Sequence, residues 1–137
     1  MKVIVDTCVW SMALRRGAPP PGPEVAELRQ LIDDGRVLML GAIRQEILSG
    51  IRVRSQFEAL RDHLRAFPDL PLSSEDYELA AEVFTTLRAK GIQGSNTDLL
   101  ICAAAVRRNV SVLTTDHDFS RYRTAVGLKL HQPAIGA

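Results

Sequence analysis

Residues 97–116, TDLLICAAAVRRNVSVLTTD, carry the clearest structural signal in the chain: a helix that is apolar on every side, followed directly by a short strand. Asn96 or Thr97 is predicted to cap the start of the helix, and Asn109 is predicted to end it. The strand, Val110–Thr115, is rich in β-branched residues and runs into the aspartate that ends the stretch. A helix without a polar face has to be covered on all sides, so we expect it at the centre of the fold.

The same order of strand and helix occurs near the N-terminus. Lys2–Val5 is an apolar strand before a helix predicted over Thr7–Arg16, and Arg36–Leu40 is a strand before a helix over Ala42–Leu48. Strands that alternate with helices form parallel sheets with helices on both faces. We therefore predict an α/β fold, a three-layer α/β/α sandwich with a central, mainly parallel sheet of four or five strands, built by residues 1–137 as one domain.

The remaining segments add helices and one more strand. Apolar residues recur at helical spacing in Glu24–Asp34 and again in Val53–Phe67. Ser73 and Asp76 stand at the capping-box interval and start a further helix. We expect the helix over Val53–Phe67 to pack against this one as a hairpin. Leu128–His131 is a weaker last strand.

Composition places the chain among globular proteins: 46% of the residues are hydrophobic and 24% are charged. No apolar stretch approaches the roughly 20 residues that span a bilayer, and the N-terminal MKVIVD reaches a charge too early for a signal peptide. We expect a cytoplasmic protein without a membrane segment. Its two cysteines, Cys8 and Cys102, are too few for a disulfide framework or a zinc site and are expected to be packed, reduced thiols.

Three aspartates are predicted to meet at one edge of the sheet. Asp6 and Asp116 each end an apolar strand, and the carboxyl ends of parallel strands share an edge. Asp98 lies in the first turn of the apolar helix, which runs antiparallel to the strand after it and so begins at that same edge. Glu46, on the helix after the second strand, can reach the same crevice.

Clustered carboxylates indicate a cation. Like charges about 4 Å apart repel by roughly 4 kcal/mol at an effective dielectric constant near 20, so the cluster must protonate, separate or bind a positive ion. Oxygen ligands without histidine or cysteine favour Mg²⁺ or Mn²⁺. Such ions activate water and stabilise the charge of a reacting phosphate, which predicts phosphodiester hydrolysis. The net charge is only +1, but with four acids committed to this site the rest of the chain carries +5.

The motifs around these acids resemble those of a known family. They are Asp6-Thr7-Cys8-Val9-Trp10, Glu46 in a short helix, Asp98 before LLICAAA, and Thr114-Thr115-Asp116-His117-Asp118-Phe119. In order and spacing they are similar to the four acidic motifs of PIN-domain ribonucleases. The length of the chain is most similar to that of the VapC-type toxins of toxin-antitoxin pairs.

This resemblance implies a Mg²⁺- or Mn²⁺-dependent endoribonuclease that hydrolyses structured RNA, such as transfer or ribosomal RNA, with a metal-activated water. It also implies a homodimer and a cognate antitoxin protein that blocks the nuclease. The catalytic and metal-binding residues would be Asp6, Glu46, Asp98 and Asp116. A non-catalytic RNA- or protein-binding module that keeps the fold is the alternative. A receiver-like signalling domain fits poorly, because Asp6 is not followed by a second acid.

Other polar residues are candidates for supporting roles. The hydroxyls of Thr7 and Thr115 are expected to hydrogen-bond a carboxylate or a metal-bound water. Asp118 is either a further ligand through water or the cap of the turn that follows it. The three histidines lack the partners of a nucleophilic or zinc mechanism. A phosphate track could be formed by Arg15, Arg16, Arg44, Arg88 and Lys90, and an apolar groove near Val53–Phe67 could accept an antitoxin helix or a second copy of the chain.

Overall fold

A computed structural model describes residues 1–14 and 22–134 of the protein. In this part of the chain four strands and seven helices form a three-layer α/β/α sandwich, as the sequence predicts. The strands are β1 (Val3–Val5), β2 (Val37–Leu38), β3 (Ser111–Leu113) and β4 (Lys129–Leu130). The helices are α1 (Thr7–Leu14), α2 (Pro23–Asp33), α3 (Gly41–Leu48), α4 (Arg54–Leu64), α5 (Ser74–Ala89), α6 (Asn96–Arg108) and α7 (Asp118–Tyr122).

The sheet is parallel throughout, with the strand order β2-β1-β3-β4. β1 pairs with β2 on one side and with β3 on the other, and the register sets Val5 beside Leu113. The chain therefore leaves β1 in one direction and returns on its other side, which makes the carboxyl end of β1 a topological switch point. Ligand sites of open α/β sheets lie at such points.

α6 is the central helix that its apolar sequence predicts. It packs against β3 and along α5, and most of its body is buried. Ser95, not Asn96 or Thr97, caps its start, because the Ser95 hydroxyl accepts a hydrogen bond of 3.1 Å from the backbone N–H of Asp98. Asn109 ends it with a left-handed conformation at φ 55°, as predicted.

The predicted hairpin of α4 and α5 is wrong, because α5 packs along α6 instead. The segment between α4 and α5 does not turn back tightly. It runs past the sheet edge, where Met39 and Asp69 form a parallel bridge and Leu70 N donates to Met39 O over 2.8 Å. The capping box at the start of α5 is present as predicted: the Ser73 backbone N donates to Asp76 Oδ2 over 2.8 Å.

Several elements are shorter than predicted. β2 comprises two residues of the predicted Arg36–Leu40, because Leu40 already caps α3. α4 begins after Val53 and ends at Leu64, and the following residues form a turn. α1 is described up to Leu14, so the predicted end of this helix at Arg16 lies outside the described residues.

The core lies on both faces of the sheet. All three residues of β1 are fully buried, and Trp10 on α1 packs edge-to-face against Phe67 with ring centroids 5.1 Å apart. No helix in the described part of the chain combines the length and the apolar character needed to cross a membrane.

Candidate active site

The four acids singled out from the sequence line a single cavity at the carboxyl edge of the sheet. Its volume is 470 Å³. Each acid comes from a different element: Asp6 follows β1, Glu46 lies on α3, Asp98 starts α6 and Asp116 follows β3. The full lining is Asp6, Thr7, Cys8, Glu46, Ser49, Asp98 and Asp116.

Asp6 is the most buried of the four, with 4% of its surface exposed. Its carboxylate accepts hydrogen bonds from the backbone N–H of Thr7 to Oδ1 and from the Thr114 hydroxyl to Oδ2, both at 2.8 Å. The Cys8 thiol adds a weaker contact to Oδ2 at 3.4 Å. Burial raises the pKa of Asp6, these hydrogen bonds oppose the rise, and repulsion by Asp116 adds to it. The fold thus holds Asp6 rigidly in a place that disfavours its charge.

Asp98 is half-buried and is held by Tyr122, whose hydroxyl donates to Asp98 Oδ2 over 3.0 Å. Burial, assisted by repulsion from Asp6 and Asp116, raises the pKa of Asp98 to about 6. These repulsions indicate that the three aspartates influence one another across the cavity. Gly94 makes room for the tyrosine: a Cβ at this position would lie 2.9 Å from Leu99 Cδ2 and 3.1 Å from Tyr122 Cε1.

Asp116 is oriented through the loop after β3. Its backbone N–H donates to the Thr114 hydroxyl over 3.0 Å, and its Oδ1 accepts from the Asp118 N–H over 2.9 Å. The Thr114 hydroxyl therefore bridges Asp6 and Asp116, a role that sequence reasoning missed. A carboxylate contact of Thr115 was predicted and is wrong, because the Thr115 hydroxyl donates to Cys8 Sγ over 3.2 Å. The alternative contact, to a metal-bound water, stays a prediction.

The two threonines are distinguished by the register of the sheet. Val5 pairs with Leu113, so the next residues, Asp6 and Thr114, stand side by side. Thr115 is one residue further along, and its hydroxyl reaches Cys8 Sγ instead of Asp6. Cys8, expected to be a packed thiol, is half-buried and lines the cavity, whereas Cys102 is buried in the core as predicted.

Glu46 lies at the exposed mouth of the cavity. The Thr7 hydroxyl donates to Glu46 Oε1 over 2.6 Å, which links the start of α1 to α3. Asp118 does not line this cavity. Its side chain is exposed, 4.0 Å from Arg121, and its backbone N–H forms the turn with Asp116.

The basic residues proposed as a phosphate track have other partners. Arg44 forms an ion pair of 2.9 Å with Asp69 and donates to the carbonyls of Leu64 and Phe67, which close the end of α4. The Lys90 ammonium donates to the Thr124 carbonyl over 2.5 Å, and Arg88 stacks over Phe84 at 5.5 Å. Arg15 and Arg16 lie outside the described residues.

The donor set suits a hard divalent cation. In residues 1–14 and 22–134 no three His, Cys, Asp or Glu side chains are close enough together to form a ready metal cluster. Four carboxylates nevertheless border one open cavity, and two of them have raised pKa values. A bound cation would favour their charged forms and so lower these pKa values. Mg²⁺ commonly binds through one or two carboxylates and retains several waters, which fits acids spaced around a cavity.

Comparisons with known proteins agree with this architecture. Residues 3–125 match the PIN domain family. Comparison with curated protein sequences finds no match. FitAcB from Neisseria gonorrhoeae aligns with a TM-score of 0.74 and 22% identity over 96% of this chain and 97% of that chain.

Two further solved structures have the same fold. VapBC2 from Rickettsia felis, bound to a DNA fragment from its promoter, aligns with a TM-score of 0.76 and 21% identity over 96% of this chain and 98% of that one. VapBC-5 from Mycobacterium tuberculosis, a member of the VapBC family of toxin-antitoxin systems, aligns with a TM-score of 0.67 and 21% identity over 96% and 99% of the two chains.

Proposed function

Because the chain belongs to the PIN domain family, whose members are generally nucleases, we propose that it is a divalent-metal-dependent endoribonuclease, the VapC-type toxin of a toxin-antitoxin pair. One observation carries the proposal: four acids from four separate elements line one cavity at the switch point of the sheet. Burial and mutual repulsion raise the pKa of Asp98 to about 6, so the fold maintains a negative cluster at a cost to its own stability. Sites that concentrate charge in this way are typical of catalysis.

Asp6, Asp98 and Asp116, with Glu46 at the mouth, would hold Mg²⁺ or Mn²⁺. When bound, such an ion activates water for attack on phosphorus and neutralises charge on the phosphate oxygens. The Thr114 hydroxyl links the Asp6 carboxylate to the backbone N–H of Asp116, and the Tyr122 hydroxyl holds one oxygen of Asp98. These hydrogen bonds preorganise the carboxylates before substrate arrives, which is how a site gains from positioning.

We further propose that an antitoxin protein and a second copy of the chain bind this nuclease, and that it acts in the cytoplasm on structured RNA. The support is the likeness in fold to FitAcB and to the VapBC structures. A cavity of 580 Å³ beside α4, lined in part by Ile51, Ala59 and Leu60, is a suitable seat for an antitoxin segment. Analytical ultracentrifugation of the purified chain tests the homodimer, which requires about twice the monomer mass of 15.1 kDa.

The decisive experiment is RNA cleavage by the purified chain. Transfer and ribosomal RNA are incubated with the wild type in Mg²⁺, Mn²⁺ or EDTA, and with the single variants Asp6→Asn, Glu46→Gln, Asp98→Asn and Asp116→Asn. We expect cleavage by the wild type only with a metal ion, and a loss of at least about 100-fold in each aspartate variant. Glu78→Gln, an exposed change on α5, is the matched control and should cleave normally.

Growth provides a second readout. Induced wild type should arrest bacterial growth, whereas induced Asp98→Asn should not. A chain that binds RNA equally well in EDTA and in Mn²⁺ and cleaves none of it would be a non-catalytic binding module, which is the outcome that contradicts the proposal.

A further inference from the structure

A second cavity, of 350 Å³, lies next to the acidic one. Asp116 lines both cavities. An RNA strand whose reacting phosphate lies in the first cavity would therefore bring a neighbouring nucleotide to the second. The lining residues are Glu24, Thr114, Thr115, Asp116, His117, Ser120 and Leu130.

Regular elements hold this second cavity in place. It lies where β3 and β4 end, with Leu130 as the last residue of β4. Ser120 stands on α7, and Glu24 stands in the first turn of α2. The other four lining residues form the loop 114–117, which is anchored by β3 at one end and by α7 at the other.

The chemistry of the lining is rich in hydrogen-bond acceptors. Two of its lining residues, Glu24 and Asp116, are acids, and no lysine or arginine of the described chain lines it. The hydroxyls of Thr114 and Thr115 donate to Asp6 and to Cys8, and that of Thr114 also accepts from the backbone N–H of Asp116, so neither hydroxyl proton is available to a ligand. Such a lining repels phosphate and favours a neutral group that carries N–H donors, while Leu130 offers apolar contact to a ring.

We propose that this second cavity binds the nucleobase beside the scissile phosphate and selects guanine, an inference that rests on the proposed nuclease function. The Watson–Crick edge of guanine presents N1–H and N2–H side by side, which match the two oxygens of a carboxylate such as that of Glu24. Uracil offers a single N–H on that edge, and adenine and cytosine set a ring nitrogen acceptor beside their amino group. Single-stranded RNA exposes these edges for reading, and a volume of 350 Å³ falls within the range of about 300–1,000 Å³ typical of small-ligand pockets.

The test is the sequence around each cut. A single-stranded RNA pool of random sequence is digested with the wild type in Mn²⁺, and the new ends are sequenced. We expect guanine to be enriched at least about fivefold over uracil at one position next to the break, the lower end of what a bidentate base contact gives. Glu24→Gln should lose this enrichment and Ser120→Ala should weaken it, when the cut sites are compared at equal extents of total cleavage. Glu78→Gln, a matched change on α5, should retain the preference.

The possible failures are distinguishable. Wild-type cleavage without base preference, or an equal preference in Glu24→Gln, overturns the guanine site and leaves the nuclease intact. No cleavage of any RNA by the wild type refutes the nuclease and the guanine site together. Thermal unfolding of each variant checks folding. If Glu24→Gln does not fold, Ser120→Ala, at an exposed position, decides the result: an unchanged guanine enrichment in that variant overturns the site.

Discussion

Replacing Asp98 with asparagine should stabilise the metal-free protein at neutral pH and abolish its response to metal. The pKa of Asp98 is raised from 3.8 to about 6, mainly by burial and then by repulsion from Asp6 and Asp116. A difference of one pKa unit corresponds to about 1.36 kcal/mol. Ionised Asp98 therefore lowers the free energy of unfolding by up to about 3 kcal/mol above pH 6. Solvent screening at a half-buried position reduces this to about 1–2 kcal/mol. Asparagine removes the charge and still offers an oxygen to Tyr122.

The pH dependence follows from the sign of the shift. The folded state binds the Asp98 proton more tightly than the unfolded state does, so protonation of Asp98 stabilises the folded state. This stabilisation is complete below pH 3.8 and is lost as the pH rises through about 6. Asp98→Asn should therefore have a Tm about 3–8 °C above wild type at pH 7.5 in EDTA, and a smaller advantage at pH 5. Asp33→Asn, at an exposed position on α2, is the matched control and should change stability by less than about 0.5 kcal/mol.

Adding Mn²⁺ should reverse the order. At about 100 times its Kd, an ion that binds only the folded state adds roughly 2.7 kcal/mol, and this gain requires the Asp98 carboxylate. Thermal unfolding of both proteins with EDTA and with Mn²⁺ measures the effect of the substitution and the effect of the metal ion. Equal stabilisation of wild type and Asp98→Asn by Mn²⁺, or a variant less stable than wild type in EDTA at pH 7.5, would refute the reasoning.

Three further outcomes are expected. Thr114→Val removes the hydroxyl that bridges the strand-end acids, and should cost about 1–3 kcal/mol in urea unfolding and most of the Mn²⁺ stabilisation. Thr85→Val, which loses only a bond to its own helix, should do neither. Tyr122→Phe keeps the buried ring but loses the hydrogen bond to the Asp98 carboxylate. Its Mn²⁺ affinity, measured by calorimetry, should fall several-fold while its Tm changes little. An unchanged affinity would contradict that role of Tyr122. Asp76→Asn breaks the ion pairs of the fully buried Asp76 with two partly exposed arginines at the end of α6 and should cost about 3 kcal/mol. Because hydrogen bonds from Arg108 hold the pKa of Asp76 well below its usual range, the wild type should lose this stabilisation only as the pH falls below about 4, which acid titration by circular dichroism can follow.

The sequence was sufficient for the sheet and for the positions of the acids, because both depend on local patterns. Asp6 and Asp116 end apolar strands, and the direction of α6 follows from the strand after it. The hydroxyls that orient the acids could not be assigned in the same way. Thr114 and Thr115 are neighbours, and only the pairing of β1 with β3, more than a hundred residues apart, separates their roles.

Long-range packing also explains the main error in the fold. The spacing of apolar residues identifies α4 and α5 as helices but does not say which neighbour each one covers. The segment between them is diverted by the bridge of Met39 to Asp69, and α5 is tied to α6 by the ion pairs of Asp76. Tyr122 was missed for a similar reason, since its hydroxyl meets Asp98 from a short helix that lies 24 residues further along the chain.

The central position of β1 sets the time at which the proposed active site can be completed during synthesis. β1 is the first of the four described strands to be made, whereas its neighbour β3 is the third. The acids of the cavity are likewise spread along the chain from Asp6 to Asp116. Ribosomes add about 5–20 residues per second, so the first acid emerges on the order of 5–20 s before the last. A nascent or prematurely terminated chain lacks β3 and Asp116 and has an incomplete site. Synthesis thus completes the acidic cavity only after β3 and Asp116 have emerged. Under the proposed function, this delay gives an antitoxin made at the same time an interval in which to bind.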